Sequence, residues 1–220
     1  SSSLAIAATE KLLTKFTVDI RDEIDSLIVV SQTPDYFLPG IGTSIHQSVG
    51  LRQNIPTFDL NQGCSGYVGA LSLATAMIES NQANKILLVT ADTYSKLIST
   101  EDKSVRTIFG DGATASIVER TASDEQSIYA FVHGTDGSGS KHLIVKGGAL
   151  RDQSESLDIA TRPTLQMNGP EVFNFTLRVA DAAVTEILRK SNSSMDEVDL
   201  FVFHQANEFM LRHLREKIGI

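Results

Sequence analysis

The amino-acid sequence predicts an α/β protein. Short apolar runs rich in β-branched residues alternate along the chain with longer segments whose apolar residues have helical spacing. Runs of this kind are typical of strands buried in a sheet, and those buried on both faces favour parallel pairing. The clearest are residues 26–30, 55–60 and 85–91.

An internal repeat indicates that one α/β unit is present twice. Residues 22–30, with the sequence DEIDSLIVV, resemble residues 196–203, with the sequence DEVDLFVF. Each copy follows a predicted helix and leads to a polar residue, Ser31 in the first copy and His204 in the second. Because reactive groups in such sheets lie at the carboxyl ends of strands, His204 is placed comparably to Cys64, which also follows a strand.

The other elements follow from periodicity and from capping signals. Pro170 suits the first turn of a helix over residues 170–190. Ser194 and Glu197 have the spacing of a capping box. Further helices are predicted at residues 4–13, 43–49, 68–78 and 206–218, further strands at 114–118, 127–133, 142–146, 165–167 and 200–203, and irregular chain at 92–104 and 147–162. The helix over 170–190 is expected to bury Val172, Phe173, Phe175, Val179, Ala182, Ala183 and Ile187.

Composition bounds the class of protein. A chain of 220 residues forms one large domain or two small ones, and 41% hydrophobic with 21% charged residues is ordinary for a globular protein. No apolar run is long enough to span a membrane. A net charge of −8 argues against general nucleic-acid binding. The single cysteine cannot form an internal disulfide, so we expect a cytoplasmic protein.

Cys64 is the strongest candidate for a reactive group. It is the only cysteine, and it falls where the predicted strand 55–60 gives way to a helix. Free amides and the macrodipole at a helix start favour a thiolate there, and the Cys64 amide could face a developing oxyanion. Gly63 and Gly66 are expected to leave room for a substrate. A lone cysteine is more often a small buried hydrophobe, but this position favours a nucleophile.

His204 is the histidine best placed to accompany Cys64. It lies at a predicted strand-to-helix junction in the sequence His204-Gln-Ala-Asn207, and a histidine can move protons for a thiolate. His46 and His213 fall within helical patterns and are more typical of surface or packing residues. No His, Cys or Asp cluster has ligand spacing, so no metal site is expected.

Two glycine-rich segments have plainer interpretations. Residues 109–113, Phe-Gly-Asp-Gly-Ala, lack the Lys-Ser/Thr of a phosphate-binding loop, so we expect a structural turn with Asp111 capping backbone amides. Residues 34–42 form a loop carrying Tyr36, Phe37 and Leu38. These apolar side chains suit ordinary packing, a substrate pocket or a subunit contact equally well.

Taken together, five segments resemble the β-ketoacyl-acyl carrier protein synthase III family of the thiolase superfamily, in family order over nearly the whole chain. The resemblance implies a thiolase-like duplicated α/β fold in α-β-α-β-α layers, incomplete at both termini. Residues 1–160 would form the first half with inserted loops, and residues 161–220 would begin the second. The segments are 25–34, 58–66, 109–113, 167–173 and 204–207.

The family's chemistry is an expectation for this chain. By resemblance, Cys64 takes an acyl group from acyl-CoA as a thioester. A malonyl thioester on acyl carrier protein then loses carbon dioxide, and the carbanion attacks the acyl-enzyme to give a 3-ketoacyl product, with His204 stabilising the carbanion or enolate. The resemblance implies a role in fatty acid biosynthesis and no cofactor beyond the coenzyme A thioester substrate.

The resemblance also implies substrate and partner contacts. Phe37 matches a loop residue that helps close the acyl pocket across a homodimer, whose contact would involve the nucleophile strand. Phe173 falls near the acyl or pantetheine tunnel, and Gly169 and Asn207 belong to the substrate-side motifs. Phe209 stands where many relatives carry an arginine that binds acyl carrier protein, so Arg212 is the nearest candidate, with Arg215 and Lys217 beyond it.

The family's catalytic asparagine, in a segment like Gly-Asn-Thr-Ser, has no match up to Ile220, and neither has its late oxyanion glycine. Other interpretations therefore stay open. An acyltransferase of the same fold would move the acyl group from Cys64 to an alcohol or amine. A catalytically silent thiolase-fold partner subunit would not be acylated. A papain-like hydrolase is disfavoured because residues 61–64 lack its spacing and the chain lacks tryptophan.

Overall fold

The computed structural model describes residues 1–122, 127–128, 130–149 and 163–220. The chain divides into two compact units. The first comprises Ser1–Thr93 with Asp111–Ile128, and the second comprises Tyr94–Gly110 with Tyr129–Ile220. The predicted boundary between residues 160 and 161 lies outside the described residues, so the division into halves stays a prediction. Most of the irregular segment predicted at 147–162 lies outside them as well.

A four-stranded sheet forms the centre of the first unit. Strand β1 (Ser26–Val30) lies between β2 (Thr57–Leu60) and β3 (Lys85–Thr93) and pairs with both in parallel. Strand β4 (Asp111–Glu119) pairs antiparallel with β3 at one edge, and β2 is the other edge. Every residue of β1 is buried, which confirms the prediction of a parallel strand covered on both faces.

Helices cover both faces of this sheet. Helices α1 (Ser2–Leu13) and α2 (Ile41–Val49) pack on one face, and α3 (Gly66–Glu79) packs on the other. Because successive strand residues point to opposite faces, β1 contributes to two separate cores. Leu27 and Val29 join the α1 and α2 side, and Ile28 and Val30 join the α3 side.

The described part of the second unit holds three α-helices and one two-stranded sheet. Its elements are α4 (Lys103–Arg106), the antiparallel pair β5 (Leu143–Val145) and β6 (Leu165–Met167), and the packed helices α5 (Gly169–Ser191) and α6 (Glu208–Ile218). The Asn168 side chain caps α5 by accepting from the Glu171 amide at 3.4 Å. Helix α5 ends at Ser191, and the C-cap residue Asn192 closes the last turn in a left-handed conformation. The long helix predicted over 170–190 is confirmed.

Two predicted strands and one predicted buried stripe are wrong. Of residues 127–133, those that are described have no strand structure, and residue 129 lies outside them. Residues 200–203 pair with no strand in the described chain, and Leu200 and Val202 are 75% and 82% exposed. The apolar face of α5 is only partly covered, with Phe175 and Val179 more than a third exposed. An apolar pattern records a tendency toward burial, but a strand also needs a hydrogen-bonded neighbour.

The predicted Gly-Asp-Gly turn is also wrong. Strand β4 begins at Asp111, which pairs with Thr93, and Gly112 pairs with Asp92. The backbone ladder extends beyond the apolar run because strand pairing uses backbone groups and does not require buried side chains. The segment predicted as irregular at 92–104 correspondingly holds the end of β3, a 3₁₀ turn at Tyr94–Lys96 and the start of α4.

The internal repeat is matched by the local backbone. Both copies enter through a 3₁₀ turn in the same register, Arg21–Glu23 in the first and Met195–Glu197 in the second. The capping box of Ser194 and Glu197 is confirmed, and backbone and side-chain hydrogen bonds from Ser194 lower the pKa of the Glu197 carboxyl. The sequence repeat therefore specifies the same 3₁₀ turn in both units.

We expect Asp25→Asn to destabilise the first unit by about 1–3 kcal/mol. The Asp25 carboxylate pairs with Arg52 and accepts from the amides of Asn84 and Lys85 at 2.7 and 3.2 Å, and an amide side chain would turn a donor toward these donors. Urea denaturation measures the effect. Asp22→Asn, at an exposed carboxylate three residues earlier, is the matched control and should stay within about 0.5 kcal/mol of wild type.

Candidate functional site

Cys64 lies in a tight turn between β2 and α3. The Gly66 amide donates to the Gly63 carbonyl at 2.8 Å, so Cys64 and Ser65 are the two central residues of the turn. Cys64 is exposed, which contradicts the alternative of a small buried hydrophobe. Helix α3 begins two residues later, with Ser65 as its N-cap. The predicted strand-to-helix position is confirmed, and it brings the thiol near the positive end of a 14-residue helix.

The glycines beside Cys64 do not simply leave room for a substrate. A methyl group on Gly66 would lie 2.4 Å from Val30 Cγ1, and one on Gly63 would lie 2.3 Å from Gln32 Oε1. The chain's own side chains therefore occupy that space, and the expectation of open room at these two positions is wrong. Gly66 in particular lets the start of α3 pack closely against the buried end of β1.

Polar groups gather where β1 and β3 end, next to this turn. The Asp92 carboxylate accepts from the Gln32 amide at 2.9 Å, the Thr33 hydroxyl at 2.8 Å and the Ser31 hydroxyl at 3.3 Å. The Ser31 amide donates to the Leu60 carbonyl of β2 at 3.1 Å. The sequence signal for this cluster was the run of polar residues directly after two neighbouring strands.

His204 lies in irregular chain ahead of α6 and is exposed. The Asn207 side chain accepts from the Met210 amide at 2.8 Å and so caps α6. The structure thus gives Asn207 a structural role, and its predicted contact with substrate stays a prediction. Cys64 belongs to the first unit and His204 to the second, so their predicted proximity also stays a prediction.

Phe173 contacts the first half of α6. Its ring lies 5.4 Å from the Phe209 ring and 5.5 Å from the His213 ring, measured between centroids. His213 Nδ1 lies 2.8 Å from the Phe209 carbonyl oxygen, which can only accept. His213 is therefore a packing residue, as predicted. Phe173 fixes the helix that follows His204, and its predicted place in a substrate tunnel stays a prediction.

Arg212 is already paired within α6. Its guanidinium lies 2.6 Å from a carboxylate oxygen of Glu208, one turn earlier, and both side chains are largely exposed. Such an exposed pair contributes little to stability and exchanges readily with other partners. Arg215 and Lys217 are exposed on the same helix. These cations remain accessible to an acidic partner.

The loop that carries Phe37 is anchored to β2. The Gly42 amide at the start of α2 donates to Asp59 at 3.0 Å, and a methyl group on Gly40 would lie 2.5 Å from that carboxylate. Phe37 is 69% exposed. The anchor at Asp59 was missed in the sequence, where alternation within a short strand gave no sign of it. At Gly169, the first residue of α5, an added methyl group would meet no neighbour within 4 Å among the described residues.

None of the helices in the described part of the chain is both long and apolar enough to cross a membrane. Among the same residues, no group of three or more His, Cys, Asp or Glu side chains is arranged to hold a metal ion.

Comparisons with known proteins decide the family. A family model described as 3-oxoacyl-[acyl-carrier-protein (ACP)] synthase III matches residues 58–137, a range that includes Cys64. The β-ketoacyl-[acyl-carrier-protein] synthase III of Clostridium perfringens is 32% identical over 220 residues, which cover the whole chain and 67% of that protein. The chain belongs to this synthase III family. The resemblance inferred from the sequence is confirmed.

Solved structures of synthase III enzymes confirm the thiolase-like α/β fold. A crystal structure of a 3-oxoacyl-(acyl-carrier-protein) synthase III is 41% identical, with a TM-score of 0.94, and is matched over the whole chain and 68% of that structure. The synthase III from Thermus thermophilus is 34% identical, with a TM-score of 0.85 and 66% of its chain covered. This synthase III family member thus spans about two thirds of the length of its relatives.

We expect Gly66→Ala to destabilise the first unit by about 1–3 kcal/mol, because the added methyl group overlaps the stiff Val30 side chain in the core. The displaced turn should also change the rate at which iodoacetamide alkylates Cys64. Urea denaturation and alkylation kinetics measure the two effects. Gly112→Ala is the matched control, because a methyl group there has no neighbour within 4 Å in the part of the chain that the structure describes. Both quantities should stay near wild type.

Proposed function

We propose that this synthase III family member is a condensing acyltransferase of fatty acid biosynthesis that uses Cys64 as its nucleophile. One observation supports this most directly. The only cysteine is exposed in the turn between β2 and α3, inside the range that matches the family model. A thiolate is a strong nucleophile near neutral pH, and a helix start favours the anion.

The first step in this proposal is transfer of an acyl group to the enzyme. The Cys64 thiolate attacks the thioester carbonyl of acyl-CoA, the carbon–sulfur bond to coenzyme A breaks, and the coenzyme A thiolate leaves. The product is an acyl-Cys64 thioester. The step exchanges one thioester for another, so it needs no cofactor, and none is proposed beyond the coenzyme A thioester itself.

The second step forms the carbon–carbon bond. A malonyl group on acyl carrier protein loses carbon dioxide, and the electron pair of the broken bond becomes an enolate. The enolate attacks the acyl-Cys64 carbonyl, and the Cys64 thiolate leaves as the 3-ketoacyl product forms. We propose that His204 donates a hydrogen bond to the enolate oxygen, where charge develops.

The proposal also covers a homodimer partner and the acyl pocket. Phe37, exposed on a loop tied to β2, would close the acyl pocket of a second copy in a homodimer, since β2 is an edge strand of the described sheet and could pair with another chain. Phe173 and Gly169 would line the path of the substrate, and Asn207 would support it. We propose a cytoplasmic setting, where the single thiol stays reduced.

Two alternatives give different products. A same-fold acyltransferase would form acyl-Cys64 and pass the group to an alcohol or amine. A silent partner subunit would form no acyl-enzyme. Product analysis separates the first alternative from condensation, and the acyl-enzyme itself separates the second.

Incubation with acetyl-CoA should add the mass of one acetyl group to the chain, at Cys64. Intact-protein mass spectrometry with peptide mapping checks this result. Cys64→Ala should show no adduct, because no other cysteine is present. If wild type also stays unmodified, while iodoacetamide still reaches Cys64, the chain acts as the silent subunit and the proposed catalysis is wrong.

Charge reversal at Arg212 should weaken binding of acyl carrier protein by about three- to tenfold, mainly through slower association at low salt. Surface plasmon resonance at two salt concentrations measures this. Arg189→Glu is a matched control, since Arg189 is an exposed arginine paired with Glu186 on α5 just as Arg212 is paired with Glu208. Equal affinities for Arg212→Glu and wild type would remove Arg212 from the carrier surface.

A further inference from the structure

Side chains at and just after the end of β1 pack against the Cys64 turn. Val30 is the last residue of β1, and Gln32 follows two residues later; both side chains lie against this turn. Val30 contacts the position of Gly66, and Gln32 contacts the position of Gly63. These two glycines close the turn through the Gly66 to Gly63 hydrogen bond of 2.8 Å. The turn therefore packs against one apolar side chain, Val30, and one polar side chain, Gln32.

The backbone that carries Gln32 is held in place on both sides. Its amide donates to Asp92 at 2.9 Å, and Asp92 also accepts from the Thr33 hydroxyl at 2.8 Å. The Thr33 hydroxyl in turn accepts from the Thr93 amide at 2.9 Å. On the other side, the Ser31 amide donates to the Leu60 carbonyl. A side chain on such a fixed backbone can hold its neighbour in one place.

We infer that Gln32 is a positioning residue for Cys64, holding the turn that presents the thiol and setting the local field through its neutral amide. The inference deepens the function proposed above and rests on it for its catalytic meaning. Gln32 does not take part in the chemistry itself. It acts through Gly63, the residue before Cys64. A glutamine here supports the turn without placing a charge beside the thiolate.

Charges of opposite sign at residue 32 test this role, because they should shift the pH midpoint of Cys64 alkylation in opposite directions, whereas a purely structural role predicts no such difference. A carboxylate beside the turn would disfavour the thiolate, and an ammonium group would favour it. Gln32→Glu should raise the pH midpoint of Cys64 alkylation by about half a unit to one unit, and Gln32→Lys should lower it by a similar amount. A loosened turn alone would move both variants in the same direction.

Alkylation of the full chain by iodoacetamide across a pH series measures these midpoints, and the single cysteine means that every adduct reports on Cys64. Gln82→Glu and Gln82→Lys are matched controls. Gln82 is exposed ahead of β3, so it lies at the opposite end of the sheet from Gln32. The five residues of β1 span about 16 Å, beyond the Debye length of about 8 Å at physiological salt. Both controls should keep the wild-type midpoint.

Opposite shifts for Gln32→Glu and Gln32→Lys, with unchanged Gln82 variants, support the inference. Shifts in the same direction, no shift, or equal shifts at Gln82 overturn it. Acylation by acetyl-CoA is measured separately on wild type. If Cys64 takes no acetyl group while the Gln32 midpoints still separate, the proposed function fails and the positioning role of Gln32 stands.

Discussion

The structure of the first unit depends on the double pairing of β1. A strand buried on both faces keeps its amides and carbonyls satisfied only through its neighbours, and β1 has β2 on one side and β3 on the other. This pairing fixes the register of all three carboxyl ends at one edge of the sheet. Cys64 and Gln32 follow the ends of β2 and β1, and Asp92 is the last residue but one of β3. The geometry of the candidate nucleophile is therefore a consequence of how β1 is buried.

Three aspartates bond neighbouring segments of the chain to this sheet. Asp25 accepts from the amides of residues 84 and 85 at the amino end of β3, Asp59 from the amide of Gly42, and Asp92 from the amide of Gln32. In each case an aspartate carboxylate in or next to a strand accepts from backbone amides of another segment of the chain. Two of the segments bonded in this way carry candidate functional residues, Gln32 in one and Phe37 in the other.

The sequence was sufficient for the elements whose cause is local or whose burial is complete. The fully apolar strand β1, helix α5 with Pro170 in its first turn, and the Ser194 capping box all agree with the prediction. The position of Cys64 at a strand-to-helix turn followed from the same signals. The contacts of Gly63 and Gly66 did not, because they depend on side chains about thirty residues earlier in the chain. Long-range contacts of this kind leave no periodic trace in the sequence.

The two copies of the repeat show which part of the backbone conformation is set by local sequence and which part depends on long-range pairing. Both copies form the same 3₁₀ turn, because hydrogen bonds within a few residues determine it. The first copy then continues as a strand between two neighbours, whereas residues 200–203 pair with nothing in the described chain and expose Leu200 and Val202. Their apolar side chains are those of a buried strand. The local sequence therefore determines the 3₁₀ turn, whereas strand structure in residues 200–203 would also need a neighbouring strand, and none pairs with them in the described chain.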